Sequence, residues 1–120
     1  MMKKITILGA TGSIGRSTVD IVRQHPEKFR IIGLSTNTNI EELQKLNIEF
    51  KPKKTVVANY EAYKNCVSSE HCKLLSGKEG LEEIASDPES DIVVVGIVGF
   101  AGLLPIMAGA KTGKRNFLAN

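Results

Sequence analysis

The chain has 120 residues, 42% of them hydrophobic and 24% charged, with a formal net charge of +3. One domain with a real core fits that length, and the composition excludes wholesale disorder, a collagen-like repeat and a disulfide scaffold. The charge excess is scattered. Its densest point, Lys51, Lys53 and Lys54 around Pro52, has no interleaved aromatics and reads as a solvated helix–strand junction, so no nucleic-acid partner is expected.

Short β-rich runs alternate with helical stretches along the chain. Ile5 to Leu8 is an apolar run that predicts a first strand, and Gly9 to Gly15 a turn. Ile14, Thr18, Ile21 and Val22 fall at helical spacing, and that helix stops at His25-Pro26. Phe29 to Leu34 predicts a second strand, apolar on both faces as in a covered parallel sheet. Asn39 can cap the next helix, with Glu42 three residues on and Ile40, Leu43, Leu46 and Phe50 as its buried stripe; Lys51-Pro52 ends it. Thr55 to Ala58 is a third strand, Tyr60 to Val67 a short helix, and Lys73 to Leu75 a short edge strand. Leu81, Ile84 and Ala85 mark a helix ending before Asp87-Pro88. Asp91 to Val95 is the most β-prone run and a central strand, Leu103 to Ala110 a helix stopped by Gly113, and Asn116 to Ala119 a last strand.

This alternation predicts an α/β fold of Rossmann-like, doubly wound type: one parallel sheet covered by helices on both faces, in a single domain. Such sheets bind ligands beyond the carboxyl ends of their strands. The 19 residues between Asp91 and Lys111 carry no charge, but Gly96, Gly99, Gly102 and Pro105 break them into a strand, a loop and a helix, so no membrane span is expected. Cys66 and Cys72 match no zinc or redox spacing and read as two free thiols of a cytoplasmic protein.

The sharpest local signal is Gly9-Ala10-Thr11-Gly12-Ser13-Ile14-Gly15, directly after a strand and opening a helix. A tight turn needs residues without Cβ clashes, and glycine lets the backbone approach a pyrophosphate. The helix N-terminus then offers unpaired N–H groups and partial positive charge. Gly15 lets helix and strand pack closely, while Thr11 and Ser13 add hydroxyl donors. The spacing is G-x-x-G-x-x-G, one residue longer than the common dinucleotide fingerprint, and no Gly-Lys-Ser/Thr follows, which excludes a P-loop. A glycine-rich turn without a ligand stays open as the alternative. After the second strand, where an NAD site places an acid, stand Ser35-Thr36-Asn37-Thr38-Asn39; the first acid is Glu41. Hydroxyl and amide donors without a carboxylate point to NADP, although no Lys or Arg stands there to meet a 2′-phosphate.

Taken together, Leu8 to Gly15, the run His25-Pro26-Glu27-Lys28-Phe29-Arg30, Glu49-Phe50-Lys51-Pro52, Gly96-Ile97-Val98-Gly99-Phe100-Ala101-Gly102-Leu103-Leu104-Pro105, Ala110-Lys111-Thr112-Gly113-Lys114 and Leu118-Ala119-Asn120 resemble the 1-deoxy-D-xylulose 5-phosphate reductoisomerases. The resemblance covers essentially the whole chain. It implies NADPH contacts at Gly9, Thr11, Gly12, Ser13, Ile14 and Gly15, at Asn37, Thr38 and Asn39, and at Asn120, with the Gly96–Gly102 loop by the nicotinamide. It also implies conversion of the ketose phosphate to 2-C-methyl-D-erythritol 4-phosphate for isoprenoid precursors. In the family this takes a divalent metal, magnesium or manganese, a phosphorylated sugar substrate, and a homodimer of the whole enzyme. The family's pattern runs on past Asn120 to a Lys-Glu pair, metal carboxylates and a substrate lid. Residues 1–120 are therefore expected to be the NADP(H)-binding domain, inactive alone. Where the family often has Gly-Lys-Asn or Gly-Arg-Asn after the second strand, this chain has Asn37-Thr38-Asn39.

Two other readings compete. A different NADP oxidoreductase, such as a semialdehyde dehydrogenase, would need a nucleophilic cysteine in an active-site loop. A non-catalytic NADP-binding module would need none of the chemistry.

Overall fold

A computed structural model describes residues 2–66, 72–96 and 115–118. Six strands form one sheet: β1 (Lys3–Leu8), β2 (Phe29–Thr36), β3 (Lys54–Val57), β4 (Lys73–Ser76), β5 (Ile92–Val95) and β6 (Arg115–Leu118). Their order is β4-β3-β2-β1-β5-β6, and every neighbouring pair is parallel. The chain builds outward from β1 to β4, then returns to the far side of β1 with β5. The β1–β5 boundary is thus the point where winding reverses, the place at the carboxyl ends of the strands where open α/β sheets take their ligands.

Four helices are described: α1 (Ser13–Gln24), α2 (Ile40–Phe50), α3 (Tyr60–Tyr63) and α4 (Gly77–Ala85). Two apolar cores follow from the period-2 alternation of the strands. Ile5, Ile7, Ile31, Leu34, Val57 and Val94 pack with Val19 and Val22 of α1 and with Leu43 and Leu46 of α2. On the opposite face Leu8, Val56, Val93 and Val95 pack with Ile84 and Ala85 of α4. Covering both faces is why strands such as Ile92–Val95 read as nearly continuous apolar runs. Among the described residues no helix is long and apolar enough to cross a membrane.

The expected architecture is observed, with local corrections. β2 continues through Ser35 and Thr36, both buried, where Leu34 had been the expected end. α1 buries Gly15, Val19 and Val22, while Ile21, expected in the stripe, is 53% exposed. Gly15 fixes that phase: it sits closest to the strand, and residues four and seven positions on share its face. α3 ends at Tyr63, short of the expected Val67, which lies outside the described residues. Lys51 closes α2 in the left-handed region with φ 48°, and Pro52 after it is buried. Lys51 and Lys53 are exposed, as expected of a solvated junction, but Lys53 and the half-buried Lys54 are also paired with carboxylates, Asp87 among them. The expected helix over 103–110, its stop at Gly113 and most of the preceding glycine loop lie outside the described residues.

Candidate nucleotide-binding site

The glycine turn leaves β1 at Leu8 and enters α1 at Ser13, at the winding reversal. Gly9 has φ 80°, a conformation that side chains with a Cβ rarely adopt. Its N–H donates to Ser35 Oγ at 2.8 Å, and the N–H of Ala10 donates to the Ser35 carbonyl at 2.7 Å. The Thr11 and Thr36 hydroxyls share a hydrogen bond of 2.7 Å. The turn is therefore fastened to the end of β2 at three consecutive residues. Ser35 and Thr36, read in the sequence as part of a phosphate-facing polar run, are spent on this fastening and are buried.

The two later glycines differ in their surroundings. A Cβ on Gly15 would lie 2.6 Å from Ala10 Cα and closer still to the Gly9 carbonyl oxygen, so the helix can approach the turn only with glycine there. A Cβ on Gly12 would meet nothing nearer than the Gly9 carbonyl oxygen at 3.6 Å and that of Gly96 at 3.8 Å. Gly12 is exposed and caps α1 with extended backbone, so the protein itself has room for a side chain there.

Ser13 is exposed and Ile14 half-buried in the first turn of α1, where N–H groups lack intrahelical acceptors. Their carbonyls accept from the Ser17 and Thr18 hydroxyls at 3.1 and 3.0 Å. α1 has no acidic residue in its first turn, so its partial positive charge is not cancelled from within. Across the reversal, Gly96 donates its N–H to the Leu8 carbonyl at 2.8 Å. A Cβ on Gly96 would lie 3.4 Å from both Gly15 N and Ile14 Cβ.

After β2, Asn37 and Thr38 are exposed, and their carbonyls accept from Asn59 and Ile40 N–H groups at 3.0 and 2.9 Å. Asn39 Oδ1 accepts from Glu42 N–H at 3.2 Å and caps α2 as expected. The structure thus brings Gly9, Thr11, Gly12, Ser13, Ile14 and Gly15 together with the β2 terminus leading into Asn37, Thr38 and Asn39. Asn120 lies outside the described residues. The fastening by Ser35 and Thr36 was not foreseen; small hydroxyl residues closing the strand beside a glycine turn are the only sequence trace of it.

Neither cysteine has the setting of a nucleophile. Burial pushes both thiols above their ordinary pKa, although the Thr55 hydroxyl at 3.3 Å from Cys72 Sγ partly offsets this. A reactive cysteine needs the opposite shift. Among the described residues no group of three His, Cys, Asp or Glu side chains could hold a metal ion.

A parallel sheet with this reversal, and a glycine-fastened helix N-terminus opening onto it, defines a Rossmann-type dinucleotide-binding protein. The family model for 1-deoxy-D-xylulose 5-phosphate reductoisomerase matches residues 5–120. The chain belongs to that family. It is 46% identical to the 1-deoxy-D-xylulose 5-phosphate reductoisomerase of Microcystis aeruginosa over 124 residues, which cover 99% of this chain and 32% of the relative. The Methylobacillus flagellatus enzyme is 40% identical, over all of this chain and 31% of its own length. Among solved structures, a DOX-P reductoisomerase in complex with NADPH, fosmidomycin and magnesium superposes with a TM-score of 0.86 at 42% identity, covering 99% of this chain and 30% of that one. The Zymomonas mobilis enzyme in complex with NADPH gives 0.86 at 29% identity, covering 100% and 32%. The chain spans about a third of the length of these relatives.

Proposed function

We propose that residues 1–120 form the NADP(H)-binding domain of a cytoplasmic reductoisomerase that converts 1-deoxy-D-xylulose 5-phosphate to 2-C-methyl-D-erythritol 4-phosphate. The observation that carries this reading is the glycine turn at the winding reversal: Gly15 is glycine for the fold's sake, whereas Gly12 is exposed, with room for a Cβ. Bound NADPH supplies hydride. This chain's part is to receive the pyrophosphate on the first turn of α1, at Gly12, Ser13 and Ile14, and the adenosine ribose beside Asn37, Thr38 and Asn39. Gly9 and Gly15 shape the turn, and Asn120 is assigned to the cofactor by family resemblance. By family resemblance, the divalent metal, the phosphosugar contacts and the homodimer contacts are assigned to parts of the enzyme outside residues 1–120; the chain spans about a third of the relatives' length.

The test is thermal denaturation with increasing NADPH or NADH. A ligand that binds only the folded state raises Tm. NADPH is expected to raise it more than NADH at every concentration. Equal or larger stabilisation by NADH would remove the NADP assignment, and no shift with either would remove the site.

A further inference from the structure

A 2′-phosphate carries about 1.5 to 2 negative charges at neutral pH, and the β2–α2 turn Asn37-Thr38-Asn39 holds no cation to meet it. Between α1 and α2, on the sheet face they share, lies a cleft of about 200 Å³. Ala10, Arg16, Asp20 and Arg23 border it from one side and Glu42 and Leu46 from the other. Ala10 is the residue whose N–H is bonded to the end of β2, so the cleft begins where the glycine turn meets that strand. Its two guanidinium groups differ. Arg23 is committed: it holds Glu49 through Nε and Nη2 at 2.6 Å each, holds Asp20 through Nη1 at 2.7 Å, and lies 5.7 Å from the Phe50 ring centre. Arg16 stands one helical turn past Gly12, and its side chain makes no ion pair or hydrogen bond among the described residues. Arg23 divides its one charge between Asp20 and Glu49, so two carboxylates border the cleft with Arg16: Asp20, one turn further along α1, and Glu42 on α2.

We propose that Arg16 is the cation that receives the 2′-phosphate and thereby sets the preference for NADPH over NADH, a role that rests on the cofactor site proposed above. A guanidinium can present two parallel N–H donors to one phosphate, and its approach from α1 makes a Lys or Arg after β2 unnecessary. The test is isothermal titration of the chain with NADPH and with NADH, for wild type, Arg16→Gln and Arg16→Lys. Arg16→Gln is expected to weaken NADPH about tenfold or more, as for a lost charge-assisted hydrogen bond, with NADH affinity unchanged. Arg16→Lys should recover part of the loss. An unchanged NADPH-to-NADH ratio in Arg16→Gln, whether both nucleotides weaken together or neither does, overturns the role of Arg16 and leaves the site standing. Failure of the wild-type chain to bind either nucleotide overturns the site itself and Arg16's role with it.

Discussion

At the amino-terminal end of the sheet, Lys53 reaches Asp87 at 3.4 Å and Glu89 at 2.9 Å, and Lys54 reaches Asp87 at 3.3 Å and Glu83 at 3.1 Å. Lys4 N–H donates to Asp91 at 2.9 Å, and Asp87 also accepts the N–H of Glu89 at 2.9 Å. At the carboxyl end, the buried groups of the glycine turn are bonded inward to Ser35 and Thr36, but Gly12, Ser13, Asn37 and Thr38 are exposed. At one end Lys53 and Lys54 are paired with Asp87, Glu83 and Glu89. The other satisfies only what fixes its shape and leaves donors over. The difference separates the stabilising edge from the binding edge, and each can be perturbed without the other.

The largest effect is expected at Gly15, where shape and fold coincide. Gly15→Val puts side-chain carbon into the Gly9 and Ala10 backbone, which cannot yield without moving the turn off β2. The expected cost is about 3 kcal/mol or more, read as a drop in the urea midpoint. A Gly15→Ala chain with wild-type stability would show that the turn is looser than its geometry states.

Gly12→Val separates binding from folding. The site has ordinary van der Waals room and extended backbone, so circular dichroism and Tm should stay close to wild type. The side chain fills the space above the helix N-terminus, and NADPH affinity is expected to fall about 100-fold, the scale of one or two charge-assisted hydrogen bonds. Calorimetric titration of the folded variant checks it, and undiminished binding would move the pyrophosphate elsewhere.

The same contrast explains what could be read in the sequence. Local signals were legible: the apolar run into Leu8, the glycine spacing after it, Asn39 three residues before Glu42, and Lys51-Pro52 at a helix end. Each is set by neighbours within one turn of chain. The fastening of Gly9 to Ser35 spans 26 residues and the Lys53–Asp87 pair spans 34. Neither leaves a periodic trace, so Ser35 and Thr36 looked like ligand donors and the carboxylate partners of Lys53 and Lys54 went unseen. Ile21 was misplaced for a related reason. Apolar identity counts equally for Val19 and Ile21, and only the close approach at Gly15 decides which of them faces the sheet.

At the stabilising edge, Asp87→Asn removes the carboxylate shared by two lysines. Asp87 is 5% exposed and Lys54 18%, so the lysine cannot recover full hydration in place. The expected loss is about 1–3 kcal/mol, seen as a lower Tm, with the wild-type NADPH affinity retained because no residue of the glycine turn is touched. Loss of binding in a folded Asp87→Asn chain would mean that the two edges are coupled through the sheet.

The smallest effect is the pH dependence of the wild-type chain, and its sign follows from the same carboxylates. Burial raises the Asp87 pKa, but the Glu89 N–H together with Lys54 and Lys53 outweighs it and holds Asp87 below its ordinary value. Glu83 is held low by its hydrogen bond to Lys54, and Glu49 by its hydrogen bond to Arg23. A carboxyl with a depressed folded pKa binds its proton more readily in the unfolded chain, so its contribution is complete above the unfolded value, about 3.9 for Asp and 4.3 for Glu. That contribution drains away as pH falls through the lower folded values. Tm should therefore be flat from neutral pH down to about 5 and decline below about 4.5. Asp87→Asn should flatten the decline, whereas Gly12→Val should follow the wild-type curve displaced by a constant. A Gly12→Val curve with a different acid slope would place titrating groups at the binding edge, against the division of labour between the two ends of the sheet.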